Sequence, residues 1–122
     1  MLSPHDRKRY ARHLLLAEIG PAGQARLLAQ TVALPASADA RAAEVAVDYL
    51  RRAGVTVGEL GEVVALPDSA AVRALAGRSE LHEATAALLG AFAAVEAIKS
   101  ALAVGAPGEL PASLTLCAEP LA

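Results

Sequence analysis

Tryptophan is missing from this 122-residue chain, and only three aromatic side chains stand in it: Tyr10, Tyr49 and Phe92. A core without large rings has to be assembled from Leu, Val and Ala, with helices packed closely in place of bulky anchors. Cysteine is almost as scarce. The one thiol, Cys117, excludes an intrachain disulfide and a multi-cysteine zinc site. No excess of positive charge exists either: 11 Lys and Arg against 13 Asp and Glu give a formal charge of −2. Nothing global therefore draws the chain to nucleic acid. Long uncharged apolar runs are also missing. The most apolar stretch, Leu81 to Val104, carries Glu83, Glu96 and Lys99, which argues against a membrane span. The first residues are polar and basic, so no signal peptide is expected and the cytoplasm is the expected location. The three histidines, His5, His13 and His82, share no close ligand spacing, so no metal site is expected.

What the chain has in quantity is hydrophobic residues, at 55%, much of it alanine. A chain of this length suits one domain that buries roughly 65% of its unfolded surface. Ser3-Pro4 opens a helix to about Leu16, with a hydroxyl cap before a proline at the first turn. Gly20-Pro21 opens a second, to about Gln30, with Leu27 and Leu28 inward. Thr31 to Leu34 is a short apolar run closed by Pro35 and predicts a buried strand. Asp39 caps a third helix that stops at Ala53-Gly54, with Val45, Tyr49 and Leu50 inward. Val55 to Val57 and Val63 to Leu66 have strand character, but only Gly58 to Glu62 joins them. Parallel neighbours need a far longer crossover, so either these runs form a hairpin or one is not a strand. Pro67-Asp68-Ser69 caps a helix to about Ala76, and Ser79-Glu80 starts the longest one, to about Val104. Leu81, Leu88, Phe92, Val95, Ile98 and Leu102 form its apolar stripe, and Ala84, Ala87, Ala91, Ala94 and Ala101 leave room for a close neighbour. Ser113 to Cys117 alternates as a last strand, with Cys117 a buried, inert thiol.

The opening segment, Leu2 to Val32, carries Arg9, Tyr10, Arg12, Leu14 to Leu16, Ile19-Gly20, Gly23-Gln24 and Leu27-Leu28 in order. It resembles the N-terminal region of the ThiF/MoeB/HesA family, the ubiquitin-activating-enzyme-like adenylyltransferases. Asp48 to Val55, Val63 to Arg73 and Leu88 to Pro107 resemble later parts of the same family: the end of its first Rossmann helix, a strand followed by a helix bearing arginine, and a helix with a Glu-Ala-Ile-Lys run. The resemblance implies an α/β fold. It would be a reduced Rossmann-like domain with N-terminal helices over residues 1–30 and a truncated core over 31–122, its small, partly parallel sheet covered by helices. It also implies that Arg12, with Arg9 beside it, reaches across a dimer interface to phosphates held by a partner subunit, and that Asp68 and Arg73 are remnants of a nucleotide site.

The departures point away from activity. Where the family has a glycine-rich loop after the first strand, this chain has Pro35-Ala36-Ser37-Ala38-Asp39. Each Cβ crowds a phosphate path, Pro35 removes an N–H donor, and Asp39 sets a negative charge beside a polyanion. The acidic residue after the second strand, the downstream Arg and Lys, the zinc cysteines and the catalytic cysteine have no counterparts, and Ser69 stands where the family has Asn. The expectation is a non-catalytic relative with no cofactor and no catalytic residue of its own. It would act as a homo-oligomer, or with a full-length paralogue or a small ubiquitin-like sulfur carrier. The alternatives are a residual adenylyltransferase that binds ATP and magnesium, and a free-standing interaction module. Plainer readings stand beside the sites: Asp68 as an ordinary helix cap, Arg73 as a surface arginine, and Arg7, Lys8, Arg9 and Arg12 as a solvated basic face.

Overall fold

The computed structural model describes residues 2–108, and the expected strand Ser113 to Cys117 lies outside them. Helix α1 (Pro4–Arg9) starts as its sequence dictates, with the Ser3 hydroxyl oxygen accepting the Asp6 N–H at 3.1 Å. It does not run to Leu16. Tyr10 leaves helical geometry at φ −104° and ψ 22°, and the chain resumes as α2 (Ala11–Leu14). Tyr10 is 3% exposed while its neighbours Arg9 and Ala11 are exposed, so burying that one ring coincides with the break. Helix α3 (Gly20–Ala29) then leads directly into β1 (Thr31–Ala33). Helix α4 (Ala40–Ala53) is capped by Asp39 and ends at Gly54, whose φ of +99° is open to glycine at little cost.

Strand β2 (Thr56–Val57) pairs parallel with β1, Thr31 opposite Thr56. Strand β3 (Glu62–Val63) pairs parallel with the other side of β1, Val32 opposite Glu62. The sheet order is β2-β1-β3. Both segments are therefore strands and parallel, and neither a hairpin nor the loss of one strand occurs. The crossover rule concerns parallel strands that are neighbours, and here β1 lies between them. The link has only to cross two strand spacings, about 9.5 Å, which four extended residues can span. It passes over the face of β1 at Thr31. A Cβ on Gly61 (φ +138°) would overlap the Thr31 carbonyl, so only glycine fits at the crossing.

Helix α5 (Ser69–Ala76) stops at Gly77 in the left-handed region, and a 3-10 turn (Ser79–Leu81) enters α6 (His82–Leu102). The main core joins Leu27, Val32, Leu50, Val64, Ala93 and Ala94, and a smaller cluster of Ala42, Val72, Ala86 and Leu89 sits beneath α5. The inner faces of the two long helices keep Leu50, Ile98 and Leu102 as expected and otherwise differ. On α6 the buried residues are Thr85, Ala86, Leu89, Gly90, Ala93, Ala94 and Leu102, whereas Leu88 and Val95 face outward at 48% and 46% exposure. On α4 they are Ala42, Ala46, Leu50 and Ala53, with Tyr49 exposed. The cause is the closeness of the pair: a Cβ on Gly90 would overlap the Ala42 carbonyl, so the small-residue faces meet and the larger side chains turn out. By length and composition the helical stretch Ser79–Leu102 could also cross a membrane; here it is the central core helix.

Candidate functional site

Two helix caps meet beyond the carboxyl ends of β1 and β3, the place where ligands bind in open α/β sheets. The Asp39 N–H donates to the Pro67 carbonyl at 2.8 Å, and Ala38 forms an isolated bridge with Asp68, which brings the caps of α4 and α5 side by side. Asp39 is 4% exposed. Its Oδ1 accepts the N–H groups of Arg41 and Ala42, both at 3.0 Å. Its Oδ2 accepts the Ser69 hydroxyl at 2.8 Å and contacts His82 Nε2 at 2.9 Å. With Asp39 ionised, Nε2 must carry the proton in that contact. Burial pushes the Asp39 carboxyl up. The hydrogen bonds from Ala42, Ser69 and His82, with the charge on His82, outweigh that and hold it down at about 2. The α4 N-terminus, with its exposed N–H groups and positive dipole end, is thus occupied by the chain's own carboxylate.

Asp68 lies beside this cluster but serves α5. Its Oδ1 accepts the Ala71 N–H at 2.8 Å, the ordinary cap arrangement. Arg73 is exposed in the last turn of α5, and among the described residues no hydrogen bond or ion pair joins it to Asp68. Sequence spacing gave no sign of the Asp39–Ser69–His82 cluster, because its members sit on three separate elements and only the fold assembles them.

The N-terminal residues make a second group. Gln24, fully buried, is a clamp: its Oε1 lies 2.9 Å from His13 Nδ1, and its Nε2 donates to the Ala53 carbonyl at 2.9 Å. Tyr10 stacks on His13 with ring centres 5.7 Å apart, and both Tyr10 and Gln24 lie so close to Gly54 that a Cβ there would press on them. The Tyr and Gln of the motif thereby fasten the N-terminal helices to the end of α4. The arginines are left at the surface. Arg9 lies over the Tyr10 ring at 5.2 Å, and Arg12 is exposed with no side-chain hydrogen bond or ion pair among the described residues.

Clefts also open on the surface of the described residues. One, of about 450 Å³, lies between the outer edge of β3 and the side of α6. A shallower one, of about 830 Å³, runs over α4 and α6 between Arg41, Tyr49 and Leu88. Among the described residues no group of three or more His, Cys, Asp or Glu side chains is placed to hold a metal. Comparisons of the chain with models of known protein families, with curated proteins and with solved structures find no match.

Proposed function

We propose that this chain is a non-catalytic relative of the ThiF/MoeB/HesA adenylyltransferases, a dimerising or regulatory partner in the activation of a ubiquitin-like or sulfur-carrier protein. The observation that carries the reading is the Asp39 carboxylate at the N-terminus of α4. An incoming phosphate would need the same N–H groups and would meet a fixed negative charge held at a pKa of about 2. Two further observations support it. The parallel order β2-β1-β3, with a helix between β1 and β2, is what a Rossmann-like sheet keeps when an internal stretch is deleted. Arg12 is exposed on a well-anchored N-terminal unit, which suits a guanidinium offered to another subunit's phosphates.

In this reading the chain contributes no nucleotide pocket and binds no cofactor. Its work is done as a dimer, or beside a full-length paralogue or carrier, in the cytoplasm. Calorimetry with ATP and magnesium tests it. No heat of binding is expected for the isolated chain, and a dissociation constant in the low micromolar range would overturn the reading in favour of a residual adenylyltransferase.

A further inference from the structure

We infer that the outward face of α6 from Ala84 to Val95 is where a second copy of this chain docks, the two α6 helices lying antiparallel about a two-fold axis level with Leu89 and Gly90. The inference places the dimer of the proposed function and rests on that reading for self-association alone. The first observation is a helix face with nothing polar on it. On a helix that turns about 100° per residue, Ala84, Ala87, Leu88, Ala91 and Val95 fall within a single arc of similar width. Glu83, Glu96 and Lys99 fall outside that arc, and Thr85, Leu89, Gly90 and Ala93 are buried on the other side. Leu88 and Val95 are nearly half exposed and Ala84 is exposed, so among the described residues no element covers this face.

The second observation is the order along the face. Ala84, Leu88, Ala91 and Val95 stand at steps of four, three and four, the spacing of a two-helix seam. Small and large side chains alternate along it. Read backwards, the steps are the same and the sizes are exchanged. An inverted copy therefore sets Leu88 against the partner's Ala91 and Val95 against the partner's Ala84, and the two-fold repeats each contact. A parallel copy would set Leu88 on Leu88 and leave gaps at both alanines. The third observation is the shallow groove of about 830 Å³ beside this face, between Val45 and Tyr49 of α4 and Ala87, Leu88 and Ala91 of α6. The partner's Leu88 has room there.

The fourth observation is the charge around the face, which favours a second copy over a charged partner. Arg41 pairs with Glu44 at 3.0 Å and lies 3.8 Å from Glu83, and Asp48 pairs with Arg52 at 3.0 Å. A rim whose opposite charges are already paired offers little field to a nucleic acid, an acidic peptide or a lipid headgroup, and another surface of the same kind meets it without repulsion. Inversion also keeps Glu80 and Glu83 away from their own copies, which a parallel pair would bring together, and it opposes the two helix dipoles.

Sedimentation equilibrium of the full chain across the micromolar range tests this, with circular dichroism of each variant as the check on folding. The unaltered chain is expected to dimerise. Leu88→Asp and Val95→Asp should each raise the dimer dissociation constant about tenfold or more, with helix content unchanged. Leu15→Asp and Leu60→Asp, at exposed apolar positions elsewhere, should leave it within about threefold. Orientation is read by mixing chains that carry Ala84→Cys with chains that carry Val95→Cys, both in a Cys117→Ser background. Under mild oxidation the two kinds should link to each other faster than either links to itself. A monomeric unaltered chain overturns the inference. So does a dimer that responds no more to Leu88→Asp and Val95→Asp than to Leu60→Asp, in which case the dimer of the proposed function stands and this interface falls. Like linking to like at an equal or greater rate overturns it as well.

Discussion

At the scale of single residues, Asp39 has the largest expected consequence. Its folded pKa, near 2, lies below the ordinary 3.8, so its share of stability is present above about pH 4 and is lost as pH falls through 2. That share is on the order of 2 kcal/mol. Acid titration followed by circular dichroism should show stability falling between pH 4 and 2, and Asp39→Asn should remove much of that slope. Loss of the cap makes Asp39→Ala cost about 1–3 kcal/mol, since two backbone N–H groups, Ser69 and His82 all lose an acceptor. Arg12 gives the opposite expectation. Arg12→Ala should shift stability by no more than about 0.5 kcal/mol. Under the proposed function it should slow pyrophosphate exchange by a catalytic partner roughly 100-fold. An equal rate with both proteins would reduce Arg12 to an ordinary surface charge. Sequence alone marked Asp39 as a cap because the cap is local, set by the residues that follow it. It missed the contacts to Ser69 and His82 because they lie 30 and 43 positions away.

At the scale of elements, the α4–α6 pair decides most. Gly90→Ala drives a methyl into the Ala42 carbonyl, and a helix axis has to move to admit it. The expected loss is about 2–3 kcal/mol, in the range of overpacked cores, although alanine is the better helix former. Leu88→Ala, on the outer face, should change stability by less than about 1 kcal/mol, and urea denaturation of both variants checks the contrast. Reading α6 as a leucine stripe reverses these two expectations. The helix was legible from its length and apolar content, but most of its inner face was not. Helical periodicity ranks side chains by hydrophobicity, whereas contact at Gly90 selects by size. The short strands show a related limit. Their residues were readable as strands, yet β2 and β3 could be placed only once β1 was known to lie between them.

At the scale of the whole molecule, large apolar side chains among the described residues remain at the surface at Leu15 and Leu16 after α2, at Leu60 and Val63 by the crossing, and at Tyr49, Leu88 and Val95 on the outward faces of α4 and α6. So small a chain with that much exposed apolar surface is expected to associate. Light scattering at micromolar concentration should report a dimer, and monomer alone would count against a self-associating partner. The α/β class was legible from the alternation of helix caps and short apolar runs, and so was Leu27, which carries α3 into the core; the clamp of Gln24 on the end of α4 was not, because periodicity does not flag a polar residue. The crossing at Gly61 also orders events in time. Until the chain has been laid over Thr31, β1 has a partner on one side at most, and both partners come from beyond α4. Helices can form within about a microsecond from local contacts, whereas this sheet must wait for β1 to meet β2 across α4 and for the short link to pass over the earlier strand. Destabilising the crossing should therefore speed unfolding more than it slows refolding. The last step of assembly would be the fastening of a strap rather than the collapse of a core.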